Sequence, residues 1–295
     1  VLGALFLASR KVVQGIEWEK TLIGSGDDIP SLVEKGKSAF AGPEIEGKTL
    51  GVVGLGAIGV RVANAAHHLG MNVIGFDPYL SVDAAWHLTR FAHKANSLDE
   101  LLEKADYITI HVPSTPSTKG MFNSEAFAKM KKGARLLNFS RGSLVDENDV
   151  QEAIANGTVA TYVTDFGSEA LLKCENVICL PHLGASTPES EENCAVMAAN
   201  EIKDFLENGN IKNSVNFPEC DMGKRTGERI TILHKNVTGM IKKITDALES
   251  LNIANMINKS KGDNAYTMID VDGRCDAAAI DAIAAMPDVI KVTLL

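Results

Sequence analysis

TLGVVGLGAIGVRVANAAHHLG, residues 49–70, decides the fold, because an apolar β-rich run, a glycine-spaced turn and a helical stretch follow one another without a break. Gly54 permits the tight turn, Gly56 lets the backbone approach a pyrophosphate, and Gly59 allows close packing of helix on strand. Ala57 and Ile58 open the helix, whose unpaired N–H groups and partial positive charge favour phosphate. The next apolar run, NVIGFDP (72–78), carries Asp77 eighteen residues beyond Gly59. A carboxylate there accepts hydrogen bonds from both ribose hydroxyls and repels a 2′-phosphate. Pro78, Tyr79 and Leu80 supply no cation to offset that repulsion. The pattern predicts a Rossmann-type domain that binds NAD rather than NADP.

Working outward, YITIHVP (107–113), ARLLNFS (134–140), ATYVTDF (160–166) and NVICLPH (176–182) are apolar and alternate with helical stretches. Such runs signal a parallel, doubly wound α/β sheet covered on both faces. Ser97 and Ser124 suit helix N-caps, and Gly133 a C-cap. Residues 187–209 read as one long helix, capped by Thr187 and stopped by Gly209. NFPECDMGKRTGER (216–229) has the polar, Gly- and Pro-containing character of a linker. After it, RITILH (229–234), IANMINK (253–259), AYTMIDV (265–271) and VIKVTLL (289–295) read as strands with helices at 240–250 and 275–286 between them. That βαββαβ order describes a small α+β domain. The expected division is 1–186, with an interface helix ahead of the Rossmann core, then 187–218, a linker at 219–228, and the small domain at 229–295.

Lys and Arg total 29 against 38 Asp and Glu, a net charge of −9, which excludes a nucleic-acid-coating protein. Five cysteines without a CxxC pair point to reduced thiols in the cytoplasm, with no disulfide framework and no metal site. The opening VLGALFLASRKVV places Arg10 and Lys11 after its apolar run, the reverse of a signal peptide, and is too short to span a bilayer. It reads as an amphipathic helix of a chain truncated at its N-terminus, with no membrane partner.

Four polar residues fall at or just beyond strand C-termini: Arg141, Asp165, Glu169 and His182. Singly, each has a bland reading as a surface ion pair, a solvated carboxylate or a packed imidazole. Together they suit oxidation of a secondary alcohol. Histidine takes the hydroxyl proton, a carboxylate orients its ring, and a guanidinium clamps a substrate carboxylate.

GLGAIG, NFSRGSLVDE, TDFGSEALL and PHLGAST together resemble the D-2-hydroxyacid dehydrogenase family. The resemblance implies that Arg141 binds the substrate carboxylate, His182 is the acid/base and Glu169 its partner. Asp165 would hold the nicotinamide carboxamide, with Ser140 and Gly184 alongside. His111, Val112 and Pro113 would line the adenine side, near Thr118. The loop departs from the commoner DxFxxEP form, since Ala170 stands where Pro is frequent. The 187–209 helix would belong to a substrate domain whose N-terminal segment is missing.

HKNVTGMI (234–241) and LNIANM (251–256) resemble the signature of ACT regulatory domains, found in the family's serine-biosynthetic branch. That implies 3-phosphoglycerate as the small 2-hydroxy acid substrate and a homodimer or homotetramer. It also implies a serine effector held by His234, Asn236, Gly239 and Asn252. Three alternatives stand beside it: a tail that only assembles subunits, a glyoxylate or hydroxypyruvate reductase, and a non-catalytic NAD-sensing binding protein.

Overall fold

Leu50, Val52 and Val53 are apolar whichever way the pleat turns, so the strand they form needs cover on both faces, and all three are buried. The computed structural model describes residues 1–295, which divide into two units, Val1–Gly184 and Ala185–Leu295. In the first unit that strand, β1 (Thr49–Val53), lies inside a seven-stranded sheet. The others are β2 (Asn72–Phe76), β3 (Ala92–Lys94), β4 (Tyr107–Ile110), β5 (Ala134–Asn138), β6 (Val159–Thr164) and β7 (Val177–Cys179). They pair in parallel in the order β3-β2-β1-β4-β5-β6-β7. The order reverses between β1 and β4, which opens a crevice beyond their C-terminal ends.

One core, including Leu101, Phe122, Phe127, Leu136 and Val150, fills one face of the sheet. The other, including Leu5, Val60, Ala63 and Val73, fills the opposite face. Each leucine, valine or phenylalanine side chain among them, fully buried, contributes about 1.5–3 kcal/mol. Ser97 caps the Leu98–Lys104 helix by accepting from Glu100 N at 3.1 Å.

Two local expectations are corrected, and one strand goes unread. The 124–133 helix is only Ser124–Ala128, capped by Asn123 rather than Ser124, and the residues after it turn so that Met130 enters the core. The N-terminal stretch is two helices, Leu2–Ser9 and Val12–Lys20, broken where Arg10 is extended. The polar edge strand β3 carries no apolar run and escapes a reading by hydrophobic pattern.

In the second unit, Thr187 caps the Pro188–Asn208 helix by accepting from Ser190 N at 3.1 Å. Gly209 ends it at φ +76°, a left-handed conformation that favours glycine. There follow β8 (Glu228–Lys235), β9 (Asn252–Lys261), β10 (Asn264–Asp272) and β11 (Val289–Leu294) in antiparallel order β11-β8-β10-β9. The helices Met240–Asp246 and Ala277–Ala284 share a core with one face of this sheet through Ile230, Ile232, Ile244, Ile269 and Ile283.

The other face is covered by the segment whose composition suggests a linker. Ile211 and Cys220 pair as a bridge and pack on Tyr266 and Met268, joined by Phe205, Phe217 and Met222. Arg229 ties this layer down. Its Nε and Nη2 grip Asp270 at 2.6 and 2.9 Å, and its Nη1 donates to the carbonyls of Asn208 and Gly223 at 2.8 and 2.9 Å. Tyr266 OH donates to the Gly209 carbonyl at 2.7 Å. A polar stretch becomes a packed strap because one buried guanidinium satisfies several loop carbonyls at once. No helix is long and apolar enough to cross a membrane.

Candidate active site

The turn after β1 is shaped by contacts that exclude side chains. A Cβ on Gly54 (φ +92°) would stand 2.7 Å from the His111 carbonyl oxygen, and one on Gly59 would stand 2.0 Å from that of Gly54. Gly56, at the N-terminus of the Ala57–His68 helix, has nothing within 4 Å of its own Cβ position. The crowded glycines fix the turn, and the open one leaves room for a phosphate at the helix terminus. Ala57 and Ile58 are exposed on the first turn beside it.

Asp77 follows β2. Its Oδ2 accepts from Leu55 N at 2.8 Å and its Oδ1 from Tyr79 N at 2.8 Å. Each oxygen keeps a lone pair for a ribose hydroxyl. Across the crevice, His111 follows β4 with its Nε2 3.0 Å from Thr109 Oγ1. Burial pushes its imidazole down to about 4, so the ring is neutral at physiological pH. Val112 approaches Gly54 from the same side. Thr118 Oγ1 donates to the Pro113 carbonyl at 2.6 Å and holds that loop.

Beyond β5, buried Asn138 organises the turn that presents Ser140 and Arg141. Its Nδ2 donates to the Arg141 carbonyl at 2.9 Å, and its Oδ1 accepts from Ser140 N at 3.2 Å. Arg141 is exposed and its Nη1 donates to the Ser140 carbonyl, which leaves most of its guanidinium unpaired.

Beyond β6 and β7, His182 Nδ1 stands 3.5 Å from Asp165 Oδ2, and the ring meets Phe166 edge-on at a centroid distance of 4.9 Å. The Asp165 side chain is 8% exposed, and its Oδ1 is buried without a hydrogen-bond partner. A buried unpaired carboxylate oxygen at the crevice calls for a donor from outside the chain. Gly184 ends this unit, two residues beyond His182.

The carboxylate against His182 is therefore Asp165, where the sequence pairs the ring with Glu169. Glu169 opens the Glu169–Lys173 helix, is largely exposed and pairs with Lys173. In a five-residue helix, residues four apart share a face, so lysine reaches the glutamate first. Phe166, Asn138, Thr109 and the amide of Leu55 are supports the sequence reading missed. Only Asn138, a polar residue closing an apolar strand, leaves a visible signal.

The four small-domain residues do not converge. His234 is buried in the sheet, with Nδ1 2.8 Å from the Lys235 carbonyl and Nε2 2.8 Å from Thr267 Oγ1. Asn236 donates through its backbone N–H to the Asp263 carbonyl, just before β10 begins. Asn252 pairs with Asp272, where β10 ends, and donates to its Oδ2 at 2.6 Å. Nine residues of β10 lie between them, roughly 27 Å of extended chain. Gly239, at φ +79°, caps the Met240–Asp246 helix near the Asn236 end.

Residues 3–184 match the family described as D-isomer specific 2-hydroxyacid dehydrogenase, NAD binding domain. The chain is similar to D-3-phosphoglycerate dehydrogenase 2 of Saccharomyces cerevisiae, at 33% identity over 77% of this chain and 53% of that protein. It is also similar to D-3-phosphoglycerate dehydrogenase of Escherichia coli, at 31% identity over 100% of this chain and 75% of that protein. Among solved structures, the NAD complexed form of a D-isomer specific 2-hydroxyacid dehydrogenase from Lactobacillus delbrueckii ssp. bulgaricus aligns with a TM-score of 0.54. It is 28% identical and covers 61% of this chain and 59% of that one. The chain spans about half the length of its fungal relatives. This unit is an NAD-binding domain, and the open Gly56 cradle and the unpaired Asp165 oxygen fit that group.

Proposed function

Because this chain belongs to the D-2-hydroxyacid dehydrogenase family, we propose that its gene product oxidises 3-phosphoglycerate to 3-phosphohydroxypyruvate, a step toward serine. One observation carries the choice of substrate. The similarity to the E. coli D-3-phosphoglycerate dehydrogenase runs through the small domain as well, covering 100% of this chain. A glyoxylate reductase from Paecilomyes thermophila, the neighbour that favours the reductase reading, covers 62%.

In this reading Gly54, Gly56, Gly59 and Asp77 hold the pyrophosphate and ribose, and His111, Val112, Pro113 and Thr118 bound the adenine side. Asp165 Oδ1 accepts from the nicotinamide carboxamide, with Ser140 beside the ring. NAD, when bound, supplies the hydride acceptor. The unpaired N–H groups of Arg141 clamp the substrate carboxylate. A proton on His182 Nδ1, facing Asp165, leaves Nε2 as the base that takes the substrate hydroxyl proton. The adjacent carboxylate then stabilises the imidazolium. Glu169 can join the ring only by releasing Lys173, a surface ion pair of the kind worth less than about 1 kcal/mol.

The small domain is assigned a regulatory role. Asn236 and Asn252 lie at opposite ends of one sheet, so a serine-sized ligand touching both needs the Asn236 end of one copy and the Asn252 end of another. Asparagine amides offer the donors and acceptors that an ammonium and a carboxylate require.

The test is a steady-state substrate panel with NAD or NADH on this chain and on its full-length gene product. The proposal expects kcat/KM for 3-phosphoglycerate about 100-fold or more above that for D-lactate, a difference of ~2.7 kcal/mol. It also expects 3-phosphohydroxypyruvate to be reduced ahead of glyoxylate and hydroxypyruvate. The reverse preference moves the assignment to a reductase. NADH binding without turnover on any substrate moves it to a cofactor-sensing protein.

A further inference from the structure

The edge of the parallel sheet opposite the cofactor crevice holds a second polar cavity, of ≈ 180 Å³. It lies at the starts of β5, β6 and β7, between the sheet and the turn that joins the two N-terminal helices. Ser9, Arg10, Lys11 and Gln14 line it from the helical side, and Arg135 and Asn176 from the sheet. No Asp or Glu lines it. Three side chains that carry positive charge thus border one small space without a counter-charge.

Arg135 is held in place. Its Nε donates to the Ala8 carbonyl at 2.8 Å, its Nη1 to the Gly133 carbonyl at 3.2 Å, and its guanidinium lies 5.2 Å from the Tyr107 ring centroid. Three of the five guanidinium N–H groups remain without a protein acceptor. Arg10 and Lys11 make no ion pair. The opposite need also exists at this cavity: Gln14 Oε1 is shut off from solvent and accepts no hydrogen bond. An anion would satisfy the N–H donors but leave that oxygen unpaired, unless the anion carries a hydrogen of its own.

We propose that this cavity binds inorganic phosphate, whose oxygens pair with Arg10, Lys11 and Arg135 while its P–OH donates to Gln14 Oε1. At neutral pH both ionic forms of inorganic phosphate keep a hydroxyl, whereas sulfate keeps none. The site therefore discriminates between two oxyanions of the same shape. Bound there, phosphate ties the helical arm to the first unit's sheet, far from the reacting groups.

The experiment is calorimetric titration of the NADH-saturated protein, in which the cofactor occupies the pyrophosphate cradle at Gly56. Phosphate should bind saturably at one site per chain, and sulfate about tenfold or more weaker, as loss of one hydrogen bond in a polar cavity implies. Gln14→Leu should erase the difference between the two anions. The double variant Arg10→Ala/Lys11→Ala should weaken both about tenfold or more while NADH affinity stays unchanged. Hydrogen exchange of the amides at 10–15 should slow on adding phosphate. Absence of saturable phosphate binding, equal affinity for sulfate, or full affinity in the double variant would overturn the assignment. None of these outcomes depends on which substrate the enzyme oxidises.

Discussion

Asp77, His111, Arg141, Asp165 and His182 follow five different strands of one sheet, and all emerge at the same edge. Asn236 and Asn252, only sixteen residues apart in sequence, lie at opposite ends of the other. In a parallel sheet every strand ends on the same side, so residues spread over a hundred positions can build one site. In the small sheet β8 and β9 both run antiparallel to β10 and so share one direction, and the helix between them carries the chain from the end of β8 back to the opposite edge, where β9 starts. The first arrangement completes a cofactor crevice within one chain. The second leaves the two asparagines about one strand's length apart within one chain.

The contrast can be tested at its strongest point first. His182→Ala in the full-length gene product should lower kcat by about 10²–10⁴-fold, the usual share of a general base. NADH affinity should stay within a few-fold, because the cradle is formed by other strands. Wild-type turnover in that variant would remove His182 as the base.

Arg229→Ala should destabilise the second unit by about 3–5 kcal/mol, since it leaves Asp270 and several carbonyls unpaired in a buried layer. Denaturant unfolding should show one transition moved and that of the first unit unmoved. Adding Asp270→Ala should recover part of the loss, as expected for removing both partners of a buried pair.

His111 sets a pH window for the first unit. Its folded value of about 4 lies below the ordinary 6.5, so the unfolded chain binds the proton more tightly. Stability is complete above pH ~6.5 and is lost as pH falls toward ~4, by up to ~3 kcal/mol. His111→Gln should flatten that slope in thermal melts taken from pH 7 to pH 4.

The smallest effect sharpens the comparison most. Asn236→Ala and Asn252→Ala should each abolish serine binding in calorimetry, and mixing the two variants should restore one intact site in each mixed dimer. Restoration fails if one copy supplies both residues.

Much of this was legible in the sequence. GLGAIG and Asp77 belong to one strand–turn–helix–strand unit, where spacing alone sets geometry. The apolar runs at 107–113 and 134–140 overshoot their strands because residues such as Val112 and Phe139 continue into the loops while the ladder stops at Ile110 and Asn138. Which carboxylate meets His182 was not legible. Asp165 and Glu169 are four residues apart, and only the turn between strand and helix decides that one faces the ring and the other Lys173. The strap at 209–228 misleads for a different reason. Its average composition is polar, yet Phe217, Cys220 and Met222 are spaced to cover a sheet face.

The clamp around Arg229 also has a mechanical meaning. It joins the end of the Pro188–Asn208 helix to the small sheet, so the two turn together like a rod set in a hub. A helix of 21 residues is roughly 30 Å long. A tilt of the hub by about 5° therefore swings its far end by about 3 Å, by the same helix geometry. That end, Pro188, is six residues along the chain from His182. A small rotation of the sheet is thus turned into a translation of a few ångströms, about 3 Å, at the start of the helix.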